Sequence, residues 1–234
     1  ADLRSAFGNN LKAYYDHYRI NGYAEGRVAT GSTELQNPTT VYNGVDYKLV
    51  YDYNYYINKY PDIKAAFNGD ENATLRHFVE CGMNEGRQGK ASFNVAAYRA
   101  NYADLRSAFG RNLKAYYMHY IGSGYREGRK ATGNGVLKNP VTVYNGVDYS
   151  LVYDYNYYIS KYSDLKAAFY GDDTAALRHF VECGMNEGRQ AKDSFNVKKY
   201  KNRYNDLQNA FGNDLKSYYM HYIGSGYKEG RKGN

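Results

Sequence analysis

The chain has 234 residues, with 31 tyrosines, 9 phenylalanines and no tryptophan, and its mean hydropathy is −0.80. No apolar run approaches the roughly 18 residues that a membrane helix needs, which excludes membrane insertion, and the aromatic content argues against a fully disordered chain. The 31 basic and 24 acidic residues are interspersed, so the net charge of +7 forms no basic arm of the kind that binds nucleic acid.

Two nested repeats organise the chain. Residues 41–132 align without a gap with residues 143–234, and 68 of the 92 positions are identical. Residues 1–31 align with residues 103–133 at the same shift of 102, with 24 of 31 identical. A shorter repeat of about 42 residues lies inside this module and contains every histidine. Because the chain opens inside a repeat, we expect that residue 1 is not the natural N-terminus.

Each short repeat predicts three short helices. The first begins at a residue type that caps helix N-termini, namely Asp52, Asn94, Asp154 and Asn196. The second covers segments such as 62–67. The third begins near Asp70 and carries Leu75, Phe78 and Val79 at helical spacing. A glycine follows each apolar stripe, and we expect it to adopt a left-handed cap conformation, at Gly82, Gly124, Gly184 and Gly226.

An insert of 18 residues in each module has a different pattern. Asn43-Gly44 lies between β-branched and aromatic residues, which is the sequence signal of a type I′ hairpin turn. We therefore expect a small hairpin formed by Thr40–Tyr42 and Val45–Tyr47, and a copy formed by Thr142–Tyr144 and Val147–Tyr149.

The predicted fold class is mainly α, with tandem three-helix repeats of about 42 residues and one small β-hairpin per module. The predicted domains are a partial repeat at 1–31, a first module at 38–132 and a second module at 140–234. Linkers at 28–40 and 130–142 separate them.

The repeat pattern combines an aromatic residue and Asp or Asn, a tyrosine four positions later, and a distant His-[Tyr/Phe]-x3-Gly-x2-Glu-Gly-Arg. It resembles a short helical repeat of extracellular bacterial proteins. The segment Val-Tyr-Asn-Gly-Val-Asp-Tyr is similar to one in secreted or surface proteins of gut clostridia. The resemblance covers essentially the whole chain and implies a secreted or cell-surface location, with host immunoglobulin or the bacterial cell wall as partner. It implies no catalytic residues.

The histidines do not indicate a metal or catalytic site. Each repeat has one, they are far apart in sequence, and no pair has zinc-ligand spacing. A residue that recurs in every repeat is typical of the packing of that repeat. Five imidazoles that titrate near pH 6 to 7 leave a shared pH response as the alternative.

The Glu-Gly-Arg triplet and the two cysteines also have structural interpretations. We expect the arginine of each triplet to reach main-chain carbonyls of a neighbouring repeat or to stack on a tyrosine, and the glutamate to pair locally. Cys81 and Cys183 occupy positions that hold Asn21, Ser123 or Ser225 in other repeats, which predicts a buried or half-buried free thiol. A Cys–His dyad with His77 is possible by spacing, but three repeats have the histidine without the cysteine.

Tyrosine carries the functional hypothesis. Copies such as Tyr56 and Tyr98 fall on predicted core faces, whereas the tyrosines around the hairpin are too dense for all to be buried. Surface tyrosine is typical of binding sites, because it offers a large contact area at low entropic cost. The predicted ligand-binding residues are Tyr42, Tyr47, Tyr53, Tyr55, Tyr144, Tyr149, Tyr155 and Tyr157.

The sequence therefore predicts a non-enzymatic tandem binding module, without cofactor or metal, that engages a protein ligand through repeated tyrosine-rich surfaces. Two alternatives stay open. A cell-wall or glycan-binding module would use the aromatic faces and the basic charge, although tryptophan, a favoured sugar platform, is absent. A passive spacer would bind nothing.

Overall fold

A computed structural model describes residues 2–8, 10–31, 34–67 and 69–234. The protein is mainly helical, with repeating helical units and two small antiparallel hairpins. The helices are α1 Asp2–Phe7, α2 Leu11–His17, α3 Tyr53–Lys59, α4 Pro61–Phe67, α5 Glu71–His77, α6 Met83–Glu85, α7 Val95–Asn101, α8 Ala103–Phe109, α9 Leu113–His119, α10 Tyr155–Lys161, α11 Ser163–Phe169, α12 Asp173–His179, α13 Val197–Arg203, α14 Asn205–Phe211 and α15 Leu215–His221. The strands are β1 Val41–Tyr42, β2 Val45–Asp46, β3 Val143–Tyr144 and β4 Val147–Asp148.

The helix starts confirm the predicted caps. The carboxylate of Asp52 accepts from the Tyr55 amide, and the Asn94 side chain accepts from the Ala97 amide at 3.1 Å. Asp154 and Asn196 cap α10 and α13 in the same way. Most of these helices have only seven residues, which is too short for stability in isolation, so tertiary packing must hold them.

The third helix of each repeat continues into one π-helical turn of five residues. These turns span Tyr18–Gly22, Phe78–Gly82, Tyr120–Gly124, Phe180–Gly184 and Tyr222–Gly226. The predicted left-handed cap at Gly82 and its equivalents is wrong, because Gly82 has a right-handed helical φ of −56°. The left-handed residue is the glycine of the Glu-Gly-Arg triplet, such as Gly86 with φ +74°.

The glycine of the π-helical turn is required for close approach. A Cβ on Gly82 would lie 2.7 Å from the hydroxyl oxygen of Tyr56, and a Cβ on Gly184 would lie 2.4 Å from that of Tyr158. The same hydroxyls lie 3.2 Å from the Nδ1 atoms of His77 and His179. The tyrosine of the first helix, the histidine and the glycine therefore meet in one contact in each complete repeat.

Each Glu-Gly-Arg arginine has several partners within its own repeat. Arg87 donates to Asp62 at 2.7 Å and to Glu85 at 2.5 Å, and its guanidinium lies 5.0 Å from the Tyr60 ring centroid. Arg189 and Arg231 repeat this arrangement. The expected stacking on tyrosine and local pairing of the glutamate are confirmed, and the carboxylate at the start of the second helix is an additional partner.

The hairpins confirm the predicted turns. Val41 pairs with Asp46 and Tyr42 with Val45, and the copy has the same register. Asn43 and Gly44 have φ of 48° and 77°, as a type I′ turn requires. The Tyr47 amide donates to the Thr40 carbonyl at 2.8 Å, so the pairing extends one residue beyond each strand.

The chain divides into two compact bodies whose bounds differ from the predicted modules. Body 1 contains the described residues up to Tyr98 together with Asn112–Thr132, and body 2 contains Arg99–Arg111 and Gly133–Asn234. In body 2, the buried Arg106 of α8 donates to Asp173 at 3.2 Å and to the carbonyls of Lys138 and Asn139. These bonds attach α8 to part of the predicted linker and explain why 99–111 joins body 2.

Tyrosine and phenylalanine rings fill the core of each body. In body 2, the Phe180 ring makes edge-to-face contacts with Tyr158 and Tyr219, with centroids 5.5 Å and 5.6 Å apart. Such pairs contribute about 0.5–1.5 kcal/mol beyond area burial. Tyr51 and Tyr153 are 1% exposed, and their hydroxyls have no hydrogen-bond partner among the residues that the structure describes. The equivalent residues in the neighbouring repeats are Phe93 and Phe195.

Every helix in the described ranges is too short or too polar to cross a membrane.

A prediction about stability follows from the unpaired hydroxyl of Tyr153. A buried hydroxyl without a partner costs about 1–3 kcal/mol, so we expect Tyr153→Phe to leave the free energy of unfolding unchanged or raise it by up to about 1 kcal/mol. Tyr158→Phe removes the hydrogen-bond partner of His179 and should lower the free energy of unfolding by about 1 kcal/mol or more. Urea unfolding measures both. A loss of about 1 kcal/mol in Tyr153→Phe would contradict the expectation.

The arginine-centred ion pairs predict acid sensitivity. The guanidinium groups lower the pKa of Asp62, Asp164 and Asp206, and hydrogen bonding to Arg27 lowers that of Asp2 to about 2. Each pair therefore stabilises the fold above the unfolded-state pKa of about 4 and is lost as the pH falls towards about 2. We expect the urea concentration at the unfolding midpoint to fall as the pH is lowered from about 4 to about 2, and to fall less in high salt.

The control for this prediction uses two substitutions. Asp164→Asn should flatten the pH dependence, because it removes one of the shifted groups. Asp193→Asn should not, since the exposed Asp193 carboxylate has no ion pair within the described ranges. Equal effects of the two substitutions would contradict a role for the arginine pairs.

Candidate functional site

Half of the predicted ligand-binding tyrosines are buried, so their expected exposure is wrong. Tyr47 and Tyr149 are each 4% exposed, Tyr53 is 1% exposed and Tyr155 is 2% exposed. Tyr155 donates to the Phe169 carbonyl and accepts from the Gly171 amide, and burial raises its pKa to about 12. These rings pack inward because tyrosine, rather than aliphatic residues, fills the core at the base of the hairpin.

The other four predicted tyrosines are half-buried and line two separate surfaces. Tyr42 lines a cleft of about 270 Å³ between the hairpin and α5, hereafter the hairpin cleft. Tyr55 lines a groove of about 680 Å³ along the outer side of α3, hereafter the α3 groove. Tyr144 and Tyr157 occupy the equivalent positions of body 2. The structure therefore does not bring the predicted residues of one module into a single patch.

A hydrogen bond between the hairpin and a glutamate holds the tyrosine of the hairpin cleft in place. The Tyr42 hydroxyl donates to Glu80 Oε1 at 2.5 Å, and Tyr144 donates to Glu182 at 2.6 Å. The neighbouring carboxylate raises the pKa of both phenols. Beside this bond, Val41 is 55% exposed and Val143 is 53% exposed. Each hairpin thus presents an apolar side chain next to a tyrosine of fixed orientation.

Arg76 at the rim of the hairpin cleft was not predicted by the sequence reasoning. Its exposed side chain has no hydrogen bond or ion pair in the described part of the chain, and neither has that of the equivalent Arg178. Every other described arginine except the buried Arg99 pairs with a carboxylate or donates to a main-chain carbonyl.

A comparison between repeats provides the signal that would have found this arginine. The repeats that carry a hairpin, hereafter hairpin repeats, have Arg and Glu at 76 and 80, and again at 178 and 182. The repeats without one, hereafter plain repeats, have Met118 with Gly122, Met220 with Gly224, or Asp16 with Ile20 at these positions. Glu80 is explained by its bond to Tyr42, whereas Arg76 has no hydrogen bond or ion pair among the described residues that would explain it.

The α3 groove is lined by Glu34, Asp52, Asn54, Tyr55, Asn58 and Lys59. Lys59 Nζ lies 3.0 Å from the Tyr55 hydroxyl and also donates to Gln88. In body 2, Lys161 makes the same two bonds with Tyr157 and Gln190.

The histidine and cysteine candidates lie apart from both surfaces. The Nδ1 atoms of His77, His119, His179 and His221 face a tyrosine hydroxyl of their own repeat. Cys81 and Cys183 are exposed, so the expectation of a buried thiol is wrong. Among the residues that the structure describes, no group of three or more His, Cys, Asp or Glu side chains has the arrangement of a metal site.

No family model matches the chain, and no curated protein or solved structure shows significant similarity to it.

Proposed function

We propose that the chain is a non-enzymatic tandem module that binds a protein ligand through the hairpin cleft of each hairpin repeat. The observation that carries the proposal is the unpaired, exposed guanidinium of Arg76, repeated at Arg178. Arginine and tyrosine supply much of the binding energy at protein interfaces, because they combine large contact area with directed hydrogen bonds. Exposed Val41 beside Tyr42 adds the apolar contact that such a site needs.

Two equivalent clefts per chain support binding to a ligand with repeated or paired epitopes. Linked sites raise avidity by about 10² to 10⁴ when both engage one ligand. Host immunoglobulin is the first partner to test, on the strength of the resemblance between these repeats and those of secreted and surface proteins of gut clostridia. The proposed location is accordingly the bacterial surface or the extracellular medium.

The alternatives differ in their response to salt and to substitution. A cell-wall polymer attracted by the net positive charge would dissociate steeply with added salt. A protein ligand held by tyrosine, valine and one arginine per cleft would depend weakly on salt. A passive spacer would retain neither kind of ligand.

Substitutions in the hairpin cleft test the proposal. We expect Tyr42→Ala with Tyr144→Ala, and separately Arg76→Ala with Arg178→Ala, each to weaken binding to human immunoglobulin about 30-fold or more, the loss typical of interface hot spots. The matched control is Arg126→Ala with Lys228→Ala, which removes the same positive charge from exposed positions of the plain repeats. Surface plasmon resonance on the immobilised full chain measures the dissociation constants.

A parallel retention assay separates the alternatives. The immobilised chain is offered human serum and, separately, bacterial cell-wall sacculi, at about 0.15 M and about 0.5 M salt. Retention of a serum protein that is lost in both cleft variants supports the proposal. Retention of sacculi alone, with steep salt dependence, favours wall binding instead. If neither a serum protein nor sacculi are retained, the result favours the passive spacer.

A further inference from the structure

The α3 groove has the size of a small-ligand site and lies apart from the hairpin cleft. Its volume of about 680 Å³ falls within the range of about 300–1,000 Å³ that is usual for such sites. Five of its six lining residues carry a charge or an amide, and the sixth is Tyr55. The lining supplies aliphatic and aromatic carbon as well as hydrogen-bonding groups, which suits a ligand that has both an apolar face and hydroxyl groups.

One wall of the groove is held in place by main-chain bonds. The Asn54 side chain accepts from the Leu35 amide at 3.2 Å and donates to the Leu35 carbonyl at 3.0 Å. This pair of bonds fixes the segment that carries Glu34 against α3. In body 2, Asn156 donates to the Leu137 carbonyl at 3.2 Å. The same segment is therefore attached to the first helix of both hairpin repeats.

The Tyr55 ring lines the groove without an aromatic partner. The side chain is half-buried and has no aromatic neighbour in the described part of the chain, unlike Tyr51 or Tyr56. Lys59 Nζ lies 3.0 Å from the hydroxyl and 5.3 Å from the ring centroid, so the ammonium lies nearer to the hydroxyl end of the ring than to its centre. The lysine thereby holds the phenol in position.

Polar groups with unused hydrogen-bonding capacity flank the ring. One oxygen of Asp52 caps the Tyr55 amide, and the other has no hydrogen bond to any residue that the structure describes. The exposed Asn58 side chain also has none within the described ranges. The groove contains two carboxylates, of Glu34 and Asp52, and one ammonium, of Lys59, which disfavours an anionic ligand such as a phosphate.

We propose that the α3 groove binds a neutral carbohydrate. One sugar ring stacks on Tyr55, and neighbouring hydroxyls bond to the Asp52 carboxylate, which accepts, and to the Asn58 amide, which donates and accepts. This site is independent of the hairpin cleft, so either activity can be present without the other.

The repeats provide internal comparisons for the proposed site. In body 2, Val136 and Ser160 replace Glu34 and Asn58, so the equivalent groove has fewer groups for sugar hydroxyls. In the plain repeats, Ala97 or Lys199 replaces the tyrosine. We therefore infer a stronger sugar site at Tyr55, a weaker one at Tyr157 and no such site in the plain repeats.

The absence of tryptophan provides a direct test. Tyr55→Trp introduces the single tryptophan of the chain into the groove, and Tyr157→Trp and Tyr227→Trp serve as matched reporters at the weaker site and at an exposed tyrosine of a plain repeat. Each variant is titrated with methyl α-mannoside, galactose, N-acetylglucosamine and chitotetraose, with inorganic phosphate as the anionic comparison. We expect saturable fluorescence changes in Tyr55→Trp with at least one sugar, at a dissociation constant of about 1 mM.

Further variants make the outcome decisive. Adding Asn58→Ala to the reporter should weaken the sugar about two- to tenfold, the loss expected for one hydrogen bond. In chains without the tryptophan reporter, saturation-transfer NMR to the same sugar should weaken with Tyr55→Ala, disappear with Tyr55→Ala and Tyr157→Ala combined, and persist with Tyr227→Ala. The proposal is overturned if no sugar saturates the reporter and none receives saturation transfer. Equal responses from Tyr55→Trp and Tyr227→Trp would overturn it as well.

Discussion

The structure depends on one contact, the tyrosine hydroxyl of the first helix placed between a histidine Nδ1 atom and a glycine. For Tyr158, the hydroxyl lies 3.2 Å from His179 Nδ1, and a Cβ on Gly184 would lie 2.4 Å from it. The π-helical turn places that glycine one turn beyond the histidine, so one bond joins the first and third helices. Short helices that are unstable alone are thereby held in a fixed arrangement.

Around this shared contact, the two kinds of repeat differ in the residues that reach the surface. Hairpin repeats carry Arg76 and Glu80 beside the hairpin, and Tyr55 and Lys59 along α3, whereas the plain repeats have other residue types at these positions. The core contact is common to both kinds, so it does not account for these substitutions. Differences between repeats are therefore more informative about function than the features that all repeats share.

Two surfaces of different chemistry lie on the same hairpin repeat. The hairpin cleft combines exposed valine, a hydrogen-bonded tyrosine and an unpaired arginine, whereas the α3 groove combines carboxylates, amides and a tyrosine ring. The first favours a protein surface, since apolar area and directed charge together give affinity there. The second favours a carbohydrate, because its lining combines hydrogen-bonding groups with an aromatic ring and aliphatic carbon. Because the two surfaces are separate, an experiment can contradict one proposal and leave the other standing.

Local patterns in the sequence were sufficient to predict the repeat period, the capped helix starts and the hairpin turns, because caps and turns depend on residues within about four positions of each other. Which tyrosines are buried is evident only from the folded chain, because tyrosine fits both a core and a surface and its spacing does not distinguish the two. The same holds for the division into bodies, which follows bonds such as Arg106 to Asp173, 67 residues apart. Arg76 and its equivalent Arg178 became candidates only because the other exposed arginines of the described residues have partners, and pairing of this kind is a property of the folded chain.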